Sequence, residues 1–387
     1  MEKRYVLIDS AEDVYVESQT ISGIAETSVG QYPYKFVKRR LLGGVRDGLD
    51  VLEIDAGRFE FTILLSRGMN LLKARCEDLE LKWDSPINGP VHPKFVPLFA
   101  PNGCGWLEGF SEWIARCGLE SNGAPEFDSN GVLKYPLHGR ISNLPARRVV
   151  LTFDEESQIV TVVGEVLESS VFGRRLLLRT TYAIKLGDTK LNVQDEIVNL
   201  ASVDDEFELL YHINTGYPLV CPGSKFFAAY KTMCPRDGNA VKELPEWNRF
   251  REPIPGSAET CYFFDLSSDA SGDTMVALTS ENERRGLALS FNKSDFPYFI
   301  LWKTQRPNSD IYVSGMEPAI NFPNTRSFEK SHGRVMPIAA QETKRFRFAL
   351  EALVSEDDVE RAVDAINDLQ QGDAPAPLTA PIPEWCE

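Results

Sequence analysis

The sequence predicts an all-β protein of the sandwich or barrel class, with one helix close to the end of the chain. Three features favour this class. Apolar and polar residues alternate over many short segments, turn-forming residues separate those segments, and helical spacing is clear only after residue 355. Alternation with a period of two places the apolar side chains on one face of a strand, so each segment can cover one side of a core.

The earliest strands are predicted from alternation and from a short turn. Between Arg58 and Leu65 every second residue is apolar, which places these side chains on one face. Residues 149–153 and 159–166 alternate in the same way on the two sides of an acidic turn at 154–156. Two alternating segments around a short polar turn are typical of a β-hairpin, so we expect these two strands to pair.

A second hairpin is predicted between residues 176 and 197. Its segments, 176–186 and 191–197, flank Gly187 and Asp188, a dipeptide that suits a tight turn. Alternation between 346 and 350 predicts one more strand. Strands that recur at this spacing are expected of sandwiches and barrels.

A helix and a proline-rich segment end the predicted fold. Ser355 suits the N-cap because Asp358 follows three residues later, and Gly372 suits the C-terminal end. We expect one domain over residues 1–372, because neither a repeat nor a shift in composition divides the chain. The segment 373–387 is expected to lie over the surface or to be disordered. The apolar residues at helical spacing are Val359, Val363, Ile366 and Leu369.

Composition narrows the class of ligand. The 387 residues carry 57 acidic and 41 basic side chains, a formal charge of −16, which disfavours nucleic acid and anionic membranes and favours a neutral ligand. No segment approaches about 18 consecutive apolar residues, and the start of the sequence lacks a secretory apolar stretch. The seven scattered cysteines favour free thiols in a cytoplasmic location over a disulfide framework or a zinc site.

Two of the four histidines lie in segments that suit a polar site. His138 stands before Gly139, which permits a tight turn, and Arg140 adds hydrogen-bond donors. His212 ends an apolar stretch and has Asn214 two residues later as a polar partner. Histidine titrates near neutrality, so both residues suit proton transfer. The alternative for each is a structural histidine that bonds to the backbone.

A third segment places Glu317 between Met316 and Pro318, directly after a predicted strand. Burial at such a position would raise the pKa of the carboxyl group and make it a better base. The alternative is a structural carboxylate that pairs with an arginine. Trp302 could stack on a sugar face or belong to the core, and Lys303 could reach a hydroxyl or an anion or be solvated.

Arg67 lies beside Gly68 at the end of a predicted strand. Its guanidinium could present a fork of donors to sugar hydroxyls, or it could form an ordinary ion pair. The sequence contains no GxGxxG, Walker, HExxH or GxSxG pattern, so it gives no support to nucleotide-binding, zinc-protease or serine-hydrolase chemistry.

Six segments together resemble the aldose 1-epimerase (galactose mutarotase-like) superfamily, and most closely a bacterial branch of aldose-epimerase-like proteins. They extend from residue 66 to residue 324, and only their combination is specific. The resemblance implies a large antiparallel β-sandwich with the sugar in a groove on its concave face. The matching segments are SRGMNLL (66–72), RCGLESNGAP (116–125), YPLHGRISNLPA (135–146), VQDEIVNL (193–200), YHINTGYPL (211–219) and GMEPAINFPN (315–324).

The same resemblance implies roles for individual residues in a reaction without cofactor or metal. His212 would be the general acid on the ring oxygen, and Glu317 would be the base on the anomeric hydroxyl. His138 would bind and orient the sugar, with Arg67 as an accessory ligand. No position here matches the additional sugar-binding aspartate of the family's mutarotases, and the surroundings of His212 differ from theirs, so the identity of the sugar stays open.

Three functions remain in competition at this point. The first is an aldose 1-epimerase that acts on a free sugar, and the second is a non-catalytic carbohydrate-binding protein that retains the groove. The third is an epimerase or isomerase of an anionic sugar derivative, which requires Arg140, Arg67 and Lys303 to converge on one anion. The oligomeric state is not predicted.

Overall fold

The computed structural model describes residues 2–27, 30–370 and 372–387. The predicted all-β class is confirmed, because antiparallel strands form most of the regular structure in these residues. The strands are β1 (Glu2–Asp9), β2 (Val14–Tyr15), β3 (Gln19–Thr27), β4 (Gly30–Arg40), β5 (Asp50–Asp55), β6 (Phe59–Leu64), β7 (Asn70–Cys76), β8 (Leu79–Leu81), β9 (Ile114–Leu119), β10 (Glu126–Phe127), β11 (Leu133–Tyr135), β12 (Ala146–Asp154), β13 (Ile159–Ser169), β14 (Arg175–Lys185), β15 (Lys190–Asn199), β16 (Asp205–Gly216), β17 (Lys225–Ala228), β18 (Tyr230–Pro235), β19 (Thr260–Leu266), β20 (Asp273–Thr279), β21 (Gly286–Asn292), β22 (Tyr298–Gln305), β23 (Tyr312–Ala319), β24 (Met336–Ile338) and β25 (Thr343–Leu353).

Two large sheets contain most of these strands. Sheet I has the order β17-β20-β21-β25-β15-β14-β13-β12-β1-β2, and sheet II has the order β18-β19-β22-β23-β16-β9-β7-β6-β5-β4-β3. β8 pairs with β7 and β24 with β16 at the margins of sheet II, while β10 and β11 form a separate hairpin.

The predicted hairpins form in sheet I. β12 pairs with β13, with Val150 opposite Val163, and β14 pairs with β15, with Leu178 opposite Ile197. β25, which contains the predicted segment 346–350, pairs with β15 in the centre of the sheet. Alternation was a sufficient signal here because one face of each strand packs in the core and the other does not.

The main core fills the space between the two sheets and draws apolar side chains from nearly every strand. Three buried polar residues connect the two sheets across this core. Arg116 of β9 forms a bidentate ion pair with Asp195 of β15, at 2.5 and 3.0 Å, and Tyr211 of β16 donates a hydrogen bond to Asp195 at 2.6 Å. All three residues are fully buried.

The predicted C-terminal helix is α3 (Glu356–Gln370). Its N-cap is Ser355, whose Oγ accepts a hydrogen bond from the backbone N–H of Asp358 at 3.2 Å and donates one to the Asp358 carboxylate at 2.7 Å. Two short helices, α1 (Gly238–Lys242) and α2 (Arg326–Ser331), were not predicted, because helices of five or six residues carry almost no periodic signal.

The proline-rich segment 373–387 lies against sheet II in an ordered path. The backbone N–H of Leu378 donates to the carbonyl of Met233 on the edge strand β18 at 2.9 Å. Farther on, Ile382, Trp385 and Cys386 pack against an apolar cluster on the outer face of sheet II, the face turned away from sheet I. No helix in the described parts of the chain has the length and apolar character to cross a membrane.

Candidate active site

The outer face of sheet II carries a histidine and a glutamate side by side. β16 and β23 are antiparallel neighbours, and the register that places Ile213 opposite Met316 also places His212 opposite Glu317. His212 Nε2 and Glu317 Oε1 are 3.2 Å apart, and the side chains are only 7% and 4% exposed. The geometry falls short of a hydrogen bond, so Glu317 Oε1 is buried without a hydrogen-bond partner among the described residues. The two groups are therefore close enough to exchange a proton through a small rearrangement.

Gly315 makes this approach possible. It lies two residues before Glu317 on the same face of β23, opposite Trp302 on the next strand. A Cβ atom at this position would lie 2.5 Å from Glu317 Oε1, 3.1 Å from His212 Cε1 and 3.2 Å from the Trp302 ring. Any larger residue would displace the carboxyl group or the imidazole.

Asn214 sets the tautomer of His212. Its Nδ2 donates to the carbonyls of Glu112 and His212, at 3.0 and 3.1 Å, so its Oδ1 faces His212 Nδ1 at 2.5 Å as an acceptor. Nδ1 therefore carries the hydrogen, and Nε2 presents a lone pair toward Glu317. Asn214 thus contacts His212 directly, and its part in binding a ligand stays a prediction.

Burial shifts the pKa values of the pair in opposite directions. It lowers the pKa of His212 to about 3, with a smaller effect from His138 in the same direction. It raises the pKa of Glu317 well above the ordinary value, with a further increase from Glu259 and a decrease from Arg236. Burial of the pair thus favours the neutral imidazole and the protonated carboxyl group.

His138 joins this pair from the loop between β11 and β12. Its ring centroid is 5.7 Å from that of His212, and its Nδ1 donates to the carbonyl of Asn122 at 2.7 Å. Burial lowers its pKa to about 4, so Nε2 is also an unprotonated acceptor. The chain turns at His138 with φ 57° and at Gly139 with φ 69°, and a Cβ at Gly139 would lie 2.2 Å from the carbonyl of Ser121. Gly139 is therefore required for this turn, as its place in the sequence predicts.

Aromatic rings surround the two histidines. Trp106 lies 4.6 Å from His138, Phe110 lies 4.9 Å from His212, and Trp302 lies 5.1 Å from His212, all between ring centroids. The predicted residue Trp302 is half-buried, and its Nε1 donates to Glu259 at 2.8 Å. Rings of this kind offer apolar faces on which the C–H face of a sugar can pack.

Three predicted binding residues do not join this group. All three guanidinium nitrogens of Arg67 are engaged by protein acceptors: Glu112, the carbonyls of Val91 and Gly109, and Asn143. The side chain is fully buried, so its role is the alternative considered for it, an ion pair. Its contacts fix the segment that contains Phe110.

Lys303 lies on the opposite face of β22 from Trp302, because neighbouring residues in a strand point to opposite sides. Its Nζ donates to the carbonyls of Glu246, Trp247 and Arg249, at 3.1, 2.9 and 2.6 Å. Burial lowers its pKa to about 7. Lys303 is therefore neither a site residue nor the solvated lysine considered as its alternative. Its ammonium group stabilises the loop that provides these three carbonyls.

Arg140 lies close enough to Glu168 of sheet I to act electrostatically on its buried carboxyl group. Burial raises the pKa of that carboxyl, and Arg174 and Arg140 act against the increase.

Several residues of this surface were not predicted. Trp106 and Phe110 come from a short turn in which a lone aromatic residue carries no functional signal. Glu259 and Arg236, which pair at 2.9 Å, lie in segments without a motif. They belong to the site surface because Glu259 accepts the hydrogen bond from Trp302 and Arg236 pairs with Glu259. In the described part of the chain, no group of three or more His, Cys, Asp or Glu side chains is placed to hold a metal ion.

Residues 46–352 match a protein family described as a domain of unknown function, DUF4432. No curated protein matches the chain. Among solved structures, a "putative aldose 1-epimerase" from Klebsiella pneumoniae is 26% identical, with a TM-score of 0.92 over 97% of this chain and 98% of that one.

More distant structures share the fold alone. A galactose mutarotase-like protein from Clostridium acetobutylicum is 14% identical, with a TM-score of 0.52 over 87% of this chain and 98% of that one. A "putative aldose 1-epimerase" from Escherichia coli K12 is 10% identical, with a TM-score of 0.50 over 79% and 99%. The chain thus belongs to the DUF4432 family, and its fold is the β-sandwich of the aldose 1-epimerase and galactose mutarotase-like proteins.

Proposed function

We propose that the protein is an aldose 1-epimerase-like isomerase that interconverts the anomers of a neutral sugar. One observation supports this most directly, the 3.2 Å separation of His212 Nε2 and Glu317 Oε1. The ring oxygen and the anomeric hydroxyl of an aldose are both bonded to C1. An acid and a base that act on these two oxygens must therefore lie beside each other, as His212 and Glu317 do.

In the proposed reaction the ionised Glu317 takes the proton of the anomeric hydroxyl. The C1–O1 bond becomes a carbonyl, the bond from C1 to the ring oxygen breaks, and that oxygen takes the proton from His212 Nε2. Rotation about the C1–C2 bond presents the other face of the aldehyde, and the ring closes with the acid and base roles reversed. Such proton transfers typically contribute about 10²–10⁴-fold each.

The reactive form of the pair holds the same number of protons as its neutral form. Movement of one proton from Glu317 to His212 Nε2 converts the neutral pair into a carboxylate and an imidazolium. Bound hydroxyl groups would favour this charged form because they supply hydrogen bonds to it. His138, with its unprotonated Nε2, would accept a hydrogen bond from a further hydroxyl and orient the sugar.

A neutral substrate is favoured over an anionic one. An anionic sugar would need Arg140, Arg67 and Lys303 to converge, and the three side chains lie in separate places. One cation beside the aromatic surface, Arg236, already pairs with Asp237 and Glu259, both at 2.9 Å.

The test is polarimetry or NMR of anomer exchange with a panel of freshly dissolved aldoses. Wild type should accelerate exchange for at least one sugar, and His212→Ala and Glu317→Gln should each lower kcat by about 10²-fold or more. His332→Ala, at an exposed histidine, is the matched control. Normal rates in either site variant would contradict the assigned roles. Binding without acceleration, measured by thermal shift, would favour a non-catalytic carbohydrate-binding protein.

A further inference from the structure

The C-terminal strap, residues 373–387, is fixed to sheet II at both of its ends. At its start Tyr230 of β18 donates to the carbonyl of Pro375 at 3.0 Å. At its end Asn324 donates to the carbonyl of Trp385 at 2.8 Å, and the Thr325 N–H and hydroxyl donate to the Glu387 carboxylate at 2.9 and 2.6 Å. The strap therefore connects an edge strand to the loop that follows Glu317.

A cysteine of the strap meets a cysteine of the sheet. Cys386 packs on the apolar cluster that contains Cys234, and its Sγ lies 3.9 Å from the carbonyl of Pro235, the next residue after Cys234. The two thiols are close enough to shift each other's pKa, which is lowered at Cys234 and raised at Cys386.

Other cysteines are less suitable partners for Cys234. Cys261 lies on the neighbouring strand, but Cys234 is opposite Phe263, which places Cys261 on the diagonal. Diagonal residues of an antiparallel pair are about 7–8 Å apart, beyond the Cα separation of about 4.4–6.8 Å usual for a disulfide. Cys221 contacts the hydroxyl of Ser224 at 3.6 Å.

We propose that Cys234 and Cys386 form a reversible disulfide that fastens the C-terminal strap to sheet II beside the candidate active site. Cys234 is held in strand β18, so formation of the bond requires only a shift of the strap end that contains Cys386. The proposal stands apart from the isomerase activity, because thiol oxidation is measured without any sugar.

The reaction requires a low-molecular-weight disulfide as oxidant. Cys386 is half-buried whereas Cys234 is buried, so Cys386 is the thiol that the oxidant reaches. Cys386 loses its proton and its sulfur attacks one sulfur of the oxidant, whose S–S bond breaks and releases one thiolate. The Cys234 sulfur then attacks Cys386 Sγ, and the mixed disulfide breaks and releases the second thiolate. The two protons of the cysteines pass to the two released thiolates, so the protein is oxidised by two electrons and the oxidant is reduced to two thiols.

The direct test is oxidation of the intact chain by oxidised glutathione, followed by tryptic mapping without reduction. The link would join the peptide 232–236 to the peptide 362–387, and the number of free thiols should fall by two from the seven of the reduced chain. Cys234→Ser and Cys386→Ser should each abolish this link, while Cys221→Ser, at another half-buried cysteine, should retain it. Absence of the link in oxidised wild type, or a link of Cys234 to another cysteine, would overturn the proposal.

A second measurement tests the fastening itself in wild type, without any variant. Hydrogen exchange at the amides of residues 378–387 should slow by roughly tenfold or more on oxidation, and reduction with dithiothreitol should restore it. Equal exchange in the reduced and oxidised forms would show that the disulfide does not fasten the strap, and would overturn that part of the proposal.

Discussion

At the scale of single residues, the candidate site favours the uncharged forms of the His212 imidazole and the Glu317 carboxyl group. His212 and Glu317 are almost completely buried, and burial disfavours an imidazolium and a carboxylate alike. A protein without a function for this pair would gain stability from an apolar or amide replacement. Burial of this pair therefore lowers the stability of the fold, which is typical of a functional site.

The stability of a Glu317→Gln variant should reveal this cost through its dependence on pH. The folded protein keeps the Glu317 proton above the pKa of the unfolded carboxyl, about 4.5, because burial raises the folded pKa. The contribution of Glu317 to stability is thus fully present below that pH and is lost as the pH rises toward the folded pKa. The variant, which has no such proton, should gain on wild type by about 1.4 kcal/mol for each pH unit in this window.

Urea unfolding between pH 5 and pH 7 measures this difference. Glu360→Gln, at an exposed position of α3, is the matched control. A constant difference between Glu317→Gln and wild type over the range would refute the proposed protonation state of Glu317.

At the scale of elements, two neighbouring strands and one glycine create the site. β16 supplies His212 and Asn214, and β23 supplies Gly315 and Glu317, all on the outer face of sheet II. Because the side chains on one face of adjacent strands are close neighbours, the strand pairing places His212 beside Glu317, and Gly315 leaves room for their approach. Phe110 then packs on His212, and Arg67 fixes the segment of Phe110 through its hydrogen bond to the carbonyl of Gly109.

Gly315→Ala should damage activity more than stability. The added Cβ would lie 2.5 Å from Glu317 Oε1, so the carboxyl group must move away from His212. We expect a loss of about 10-fold or more in kcat, together with about 1–3 kcal/mol of overpacking. Anomer exchange and urea unfolding measure the two effects. Gly238→Ala, where nothing lies within 4 Å of the new Cβ, is the control, and full activity in Gly315→Ala would contradict this account.

Arg67→Met should destabilise the protein by about 3–5 kcal/mol, because it leaves the Glu112 carboxylate buried without its cation. If Arg67 were instead the accessory sugar ligand that the resemblance implies, the same variant would weaken the affinity for sugar. Urea unfolding and the KM for the best aldose distinguish these two roles. An unchanged free energy of unfolding with a raised KM would restore Arg67 as a sugar ligand.

At the scale of the whole molecule, a buried ion pair joins the two sheets of the sandwich. Arg116 belongs to the strand beside His212, and Asp195 belongs to sheet I. Their bidentate contact lies within an otherwise apolar core. A misaligned packing of the sheets would bury both charges without partners, so the pair favours one alignment.

Asp195→Leu alone should therefore cost about 3–5 kcal/mol in the free energy of unfolding, because Arg116 stays buried without its anion. The double variant with Arg116→Met should recover part of that loss. Urea unfolding of the two single variants and the double variant measures the coupling. Additive losses, with no recovery in the double variant, would contradict the role of the pair as a unit.

The sequence by itself determined several strands, the two predicted hairpins and the C-terminal helix, since each depends on a local pattern. It also predicted His212, Glu317, His138 and Asn214 as site residues, in segments that resemble a known family. The sequence also contained evidence against one of the predicted binding residues. Trp302 and Lys303 are adjacent in a strand, so their side chains point to opposite faces and cannot both reach the same site.

Only the tertiary structure decided how distant segments meet. The pairing of β16 with β23 brings together residues about a hundred positions apart, and no local pattern encodes that register. Whether Arg67 binds a ligand or an internal carboxylate depends on Glu112, which the fold places beneath it. Trp106, Glu259, Arg236 and the C-terminal strap join the site surface for the same reason: long-range packing brings them there, and their own segments carry no sign of it.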